Sequence, residues 1–176
     1  MRALLIVDMS NDFVADNGSL TAGKRAQAIV PNIMKHIEEF KNEPIIFCND
    51  SHKMGCDHFK LWTPHNVIGT EGIKIYGELG KYLDEHRNDM NVYYLPKDEY
   101  DAFYQTDLKD ILKALKVDEV YVTGVCTDIC VFNTVYGAYK AGFKTNVFKD
   151  GVATFTENQD LFLNHMNMIY KTNIIE

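Results

Sequence analysis

The chain has 176 residues, 46% of them hydrophobic and 24% charged, and its 18 basic and 25 acidic side chains leave a formal net charge of −7. That length suits one domain, residues 1–176, with one sizeable core, and no Pro/Gly/Ser-rich linker or low-complexity segment divides it. The acidic balance argues against a nucleic-acid or anionic-membrane surface and leaves small neutral or weakly charged substrates open.

In chain order, Ala3 to Val7 is a continuous apolar run closed by Asp8, the pattern of a strand buried on both faces. Arg2 before that run imitates the start of an export signal. The run breaks too early for one, and no later stretch approaches a membrane span. A cytoplasmic protein is therefore expected, with Cys48, Cys56, Cys126 and Cys130 as free thiols rather than a disulfide framework.

From about Lys24 to Asn42, Ala28, Ile29, Ile33, Met34, Ile37 and Phe40 recur near helical spacing, with Pro31 marking a kink or a late start. Ile45 to Cys48 is the second strand, ending at Asn49-Asp50. Periodicity is lost from Ser51 to Gly77, where His52, His58, His65 and Trp62 accumulate; so long a loop with such content reads as functional. Val92 to Leu95 is a third strand ending at Pro96-Lys97. Thr106-Asp107 then opens a helix with Leu108, Ile111, Leu112 and Leu115 as its buried stripe.

Glu119 to Val125 is a β-branched run that ends at a glycine step and passes into a helical pattern whose first turn carries Cys130. A helix running through Val131, Val135 and Ala138 stops at Gly142. Thr145 to Phe148 is a fifth strand closed by Lys149-Asp150, a helix covers about Glu157 to Met168, and Thr172 to Ile175 is a sixth strand. The alternation predicts an α/β fold: an open, mostly parallel six-stranded sheet with helices on both faces.

Ligands of such sheets bind outside the carboxyl ends of the strands, near the point where strand order reverses. Asp8, Asp50, Lys97 and the Gly124 to Cys130 turn all fall at strand ends, and Asp150 shares that position. A thiol at a helix start feels unpaired N–H groups and the positive end of the dipole, which favours thiolate. Cys130 is thus the candidate nucleophile, with Asp8 as proton acceptor and later donor and Lys97 holding the charges, an arrangement for acyl transfer. A buried structural Asp8–Lys97 ion pair is the alternative.

Asp50, His52, His58 and His65 form a second constellation, one carboxylate and three imidazoles suited to a divalent metal, with zinc, iron and manganese as the options. A metal there can activate water directly, leaving Cys130 a bystander. Phe13, Trp62 and Tyr100 lie in or after the loops that follow the first three strands, where they can wall a slot for a flat ring. No Gly-rich phosphate loop supports a nucleotide- or flavin-binding regulator.

Taken together, Asp8, Asp50-Ser51-His52, His58-Phe59, Trp62-Thr63-Pro64-His65-Asn66, Lys97 and Thr123 to Val131 resemble the nicotinamidases of the isochorismatase-like cysteine hydrolase superfamily, over nearly the whole chain. The resemblance implies the isochorismatase-like hydrolase fold and conversion of nicotinamide, and of pyrazinamide, to the acid and ammonia, a step of pyridine-nucleotide salvage. It implies that Asp8, Lys97 and Cys130 are a triad, that Val125-Cys126 is a cis peptide, and that the backbone N–H groups of Cys126 and Cys130 form an oxyanion hole. It also implies one divalent ion, zinc first, held by Asp50, His52, His58 and His65 and binding the ring nitrogen, with Phe13, Trp62 and Tyr100 flanking the ring. Within the family the His58 position is sometimes glutamate, and Thr63 stands where proline is frequent. A related hydrolase acting on another small amide or on isochorismate, and a non-catalytic binding protein on the same fold, are the competing readings. Neither a nucleic-acid nor a membrane partner is expected, and homo-oligomerisation stays open.

Overall fold

The computed structural model describes residues 1–176. Six strands, β1 (Arg2–Val7), β2 (Ile45–Asp50), β3 (Val92–Lys97), β4 (Glu119–Val125), β5 (Lys144–Ala153) and β6 (Asn173–Ile175), form one sheet in the order β3-β2-β1-β4-β5-β6. Every neighbouring pair is parallel, so the sheet is parallel throughout rather than mostly so. Parallel neighbours need long crossovers, and helices provide them: α1 (Asn11–Val14), α2 (Gly23–Glu39), α3 (Gly77–His86), α4 (Leu108–Ala114), α5 (Phe132–Ala141) and α6 (Gln159–Tyr170).

Alternation along each strand splits the core into two layers. Ala3, Leu5 and Val7 face Leu108, Leu112, Val135, Ala138 and Leu163 of α4, α5 and α6. Leu4 and Ile6 face Ala26, Ile33, Ile37 and Leu79 of α2 and α3. The strands are apolar on both faces because both faces are covered. No helix is long and apolar enough to cross a membrane.

Three local features differ from the sequence reading. Helix α2 begins at Gly23 and runs through Pro31 without ending, because Pro31 lies on its exposed face, where the carbonyl deprived of a donor can meet water. Strand β3 includes Pro96, which an edge strand tolerates. Strand β5 extends to Ala153 past a register shift opposite Val122 and Gly124, which places Asp150 within the strand instead of beyond its end.

Strand order reverses between β1 and β4. The two are paired along their length, from Arg2 opposite Glu119 to Val7 opposite Gly124. Gly124 has φ of 112°, and a Cβ there would lie 2.0 Å from the Val7 carbonyl oxygen, so only glycine lets β4 close against β1 at this point. Residues 51–76 hold only a short 3₁₀ turn at Asp57–Lys60 as regular helix; an isolated bridge from Ser10 to Ile75 ties them to the end of β1, and a second, His52 to Val67, closes the segment on itself.

Candidate active site

Register brings Asp8, Asp50 and Lys97 together. Each follows or ends one of three adjacent parallel strands, and all three are buried. Asp8 has φ of 56°, a left-handed conformation uncommon outside glycine, and its N–H donates to the Cys48 carbonyl at 2.8 Å. Its Oδ1 accepts the Asp50 N–H at 2.7 Å. Its Oδ2 lies 2.8 Å from Lys97 Nζ, in an ion pair that is off-line for a hydrogen bond. Lys97 Nζ also donates to Asp50 Oδ1 and to the Glu99 carbonyl, the latter at 3.1 Å.

Cys130 arrives from β4. The Val125–Cys126 peptide is cis, in agreement with the resemblance. The next turn, Thr127–Val131, is π-helical: the Cys126 carbonyl accepts from Ile129 at 3.0 Å and from Val131 at 3.1 Å, and α5 follows directly. Such insertions recur at functional sites because they re-aim a side chain without breaking the helix. The Cys130 sulfur, an Asp8 oxygen and an Asp50 oxygen all lie within 4.8 Å of one another. The Cys126 N–H donates to no protein acceptor, which leaves it free for a ligand oxygen.

The charges at this point do not balance. Two buried carboxylates face one buried ammonium. Burial and then the Asp50 charge raise the Asp8 carboxyl to about 6, with Lys97 pulling the other way. Burial works against charge on Lys97, but Asp50 and Asp8 outweigh it and hold the amine well above its usual range. Burial likewise opposes the Asp50 carboxylate, yet Lys97 and the nearby imidazoles keep it ionised. The Cys130 thiol is pushed well up, first by burial and then by Asp8, with Lys97 offsetting only part. The pull toward thiolate expected from a helix start is thus opposed by burial and by Asp8, whose carboxylate stands beside the sulfur. Burial also raises Cys126, to about 12, but that thiol faces Thr154 and Phe155 rather than the ion pair.

The residues expected to hold a metal converge as well. Ring nitrogens of His52, His58 and His65 lie within 4.8 Å of one another. Asp50 Oδ2 is 3.5 Å from His52 Nε2 and 3.8 Å from His65 Nε2, too far for hydrogen bonds. Donors bonded to one ion at about 2.1 Å stand roughly 3–4 Å apart, so the spacing fits ligands sharing a cation. The outer nitrogens agree with this. His65 Nδ1 lies 2.7 Å from the Thr63 carbonyl, which can only accept, so it carries the proton there, and His52 Nδ1 lies 2.6 Å from Asp98 Oδ1. Those contacts leave each Nε2 lone pair facing Asp50, and the buried His52 Nε2 has no protein partner. His58 stacks on His52 with ring centres 4.5 Å apart, and burial lowers its proton affinity, which keeps a lone pair available. A divalent ion would satisfy these lone pairs and the excess negative charge together, so the residues fit one.

One cavity joins both groups. Phe13, Trp62, Tyr100, His58, His65 and Asp50 line it beside Cys126 and Cys130. The Trp62 indole donates to the Tyr100 hydroxyl at 2.9 Å, which fixes two aromatic walls relative to each other, and Phe13 packs 5.1 Å from the His65 ring. Leu20, Val125, Ile129 and Phe155 complete the lining. Asp150 lies elsewhere, 2.9 Å from His36 Nε2. Sequence reasoning missed Asp98, the Thr63 carbonyl, Leu20 and Phe155; only the Asp98 position, one residue past Lys97 at a strand end, carried a signal.

Against known proteins, residues 2–174 match the isochorismatase domain. An uncharacterized isochorismatase family protein of Bacillus subtilis, PncA, is 39% identical over 161 residues, 89% of this chain and 88% of that protein. The crystal structure of a pyrazinamidase/nicotinamidase from Streptococcus mutans has 40% identity and a TM-score of 0.93, covering 99% of this chain and 100% of that one. The pyrazinamidase of Pyrococcus horikoshii, solved in complex with zinc, has 27% identity and a TM-score of 0.87 over 99% and 98% of the two chains. The chain belongs to the isochorismatase family and groups within it with the nicotinamidase/pyrazinamidase proteins.

Proposed function

We propose that this protein is a metal-containing amidohydrolase that converts nicotinamide, and pyrazinamide with it, to the carboxylic acid and ammonia through a thioester on Cys130. The observation that carries the reading is the meeting, at one aromatic-walled cavity, of a thiol backed by the Asp8 carboxylate and a separate cluster of imidazoles able to hold a metal. The names of the similar proteins point the same way.

In this reading Asp8 accepts the Cys130 proton as sulfur attacks the carboxamide carbon, and Lys97 compensates the charge left on sulfur. The carbonyl oxygen becomes an oxyanion, and the N–H groups of Cys126 and Cys130 receive it; donors fixed in a dry site are worth more there than in water. Asp8 then returns the proton to the amide nitrogen, the C–N bond breaks and ammonia leaves. Water enters, gives a proton to Asp8 and its oxygen to the acyl carbon, and the acid departs as Cys130 recovers its thiol. Asp50, His52, His58 and His65 would hold a divalent ion, zinc in preference to iron or manganese, which would supply a Lewis acid for positioning the ring. Phe13, Trp62 and Tyr100 confine the ring, while Asp98 and the Thr63 carbonyl hold the imidazoles in orientation.

Ammonia release from nicotinamide and pyrazinamide by zinc-loaded protein tests the proposal. Release of ammonia with one equivalent of acid is expected, and no release from either amide overturns it.

A further inference from the structure

The nucleophile turn is fastened to a segment that the mechanism leaves unused. Asp128 lies two residues before Cys130, and its two carboxylate oxygens accept from two threonines of the β5–α6 connection. Thr154 donates to Oδ1 and Thr156 to Oδ2, each at 2.6 Å. Both hydroxyls also accept backbone N–H groups two residues on, Thr154 from Thr156 at 3.3 Å and Thr156 from Asn158 at 3.1 Å. A second tie runs from the Thr127 hydroxyl to Gln159 at 3.4 Å. A carboxylate with both oxygens engaged by short hydrogen bonds fixes relative position far better than one contact would, since charge-assisted bonds are about twice as strong as neutral ones.

Phe155 stands between the two clamped threonines. Its backbone N–H faces the Cys126 thiol, and its side chain lines the cavity beside Cys126, Ile129 and Cys130. Phe155 is 45% exposed in the free protein. An apolar ring left open at the mouth of a cavity gains burial only when a ligand covers it, so its contribution belongs to binding. Held by backbone alone it would be free to swing out with its loop.

We infer that Phe155 is a substrate-binding wall of the cavity and that Asp128 is the positioning residue that seats it against the nucleophile turn through Thr154 and Thr156. The inference rests on the small-ring amide reading above and adds a determinant of substrate fit to it. Asp128 touches no reacting atom and acts through the two threonines. Its removal therefore loosens the fit of the ring before it alters the chemistry.

The test is a set of steady-state measurements with nicotinamide on the metal-loaded protein. Phe155→Ala should raise KM about tenfold with kcat held within about twofold, and Phe155→Trp should restore most of the affinity. Asp128→Ala should raise KM by a similar factor, and the two changes together should raise it little beyond either alone, because residues that act as one unit are not additive. Thr156→Val approaches the clamp from its other side and replaces Asp128→Ala should that variant fail to fold. Unchanged KM in Phe155→Ala, or multiplicative effects in the double variant, overturns the inference. If the wild-type protein hydrolyses no amide, the functional reading falls by itself. The wall is then read from alkylation of Cys130 by iodoacetamide, where faster labelling in Phe155→Ala and Asp128→Ala supports it and equal rates overturn it.

Discussion

Two acid–base pairs sit within the fold, and they are built for different ends. His36 on α2 meets Asp150 on β5 at 2.9 Å, and its ring stacks on Phe148 with centres 3.7 Å apart and planes 9° from parallel. The Asp150 carboxylate keeps 44% of its exposure, so water shares its charge and one partner is enough. Lys97 is closed off entirely, and it answers two buried carboxylates that water does not reach. The first pair ties a helix to a strand, with its imidazole buried and its carboxylate open to water. The second is a deficit of positive charge, placed where strand order reverses and opening onto a cavity, and the neighbouring lone pairs of His52 and His65 extend it. Buried charge left short of a counterion is expensive, which is why the second region has the composition of a reaction site and the first does not.

The contrast can be broken by substitution. Cys130→Ala should lower turnover of nicotinamide by about 10⁴-fold or more while leaving binding measurable by calorimetry, because in the proposed mechanism the sulfur is the attacking atom. Turnover within tenfold of wild type would return the reaction to water and make the thiol incidental. Lys97→Ala, which leaves Asp8 and Asp50 buried without a partner, should cost about 3–5 kcal/mol of stability in denaturant titration as well as activity. A wild-type unfolding midpoint in that variant would mean that the site is wetter than its burial indicates.

The pH dependence separates the regions more finely. Asp8 must be ionised to accept the thiol proton, and with its carboxyl raised to about 6 the working fraction is lost as pH falls through that value. The acid limb of kcat/KM should therefore drop about tenfold per pH unit below a midpoint at or under about 6, a cation beside Asp50 moving the midpoint down and not up. A limb rising toward low pH would contradict the role of base. The smallest effect is expected at the other pair: Asp150→Asn should leave kcat/KM within about twofold and change stability by about 1 kcal/mol or less, since the carboxylate is partly solvated. Activity lost there at unchanged stability would join the two regions and undo the comparison.

Much of this division was legible in the sequence. Asp8, Asp50 and Lys97 each terminate an apolar run, and parallel strands deliver such residues to one edge whatever the intervening loops contain. Histidines gathered in one aperiodic loop pointed to the three imidazoles that the fold brings together. The sequence misled at Asp150, because strand continuation through a register shift has no signature in hydrophobic pattern. Nor does local pattern show what opposes the helix start at Cys130, namely burial and the charge of Asp8, 122 positions away in the chain. The π-helical turn, the hold of Asp98 on His52 and the Asp128 clamp rest on long-range or backbone geometry that residue spacing does not encode.

The central claim is that Cys130 attacks and Asp8 takes its proton. Rapid acid quenching during turnover of nicotinamide, followed by mass analysis of the peptide that carries Cys130, tests it most directly. A nicotinoyl thioester on Cys130 that accumulates to a steady level, and forms at least about 10²-fold more slowly in Asp8→Asn protein, is the predicted result. Sustained turnover with Cys130 unmodified at every quench time, and persisting in Cys130→Ala protein, would contradict the account.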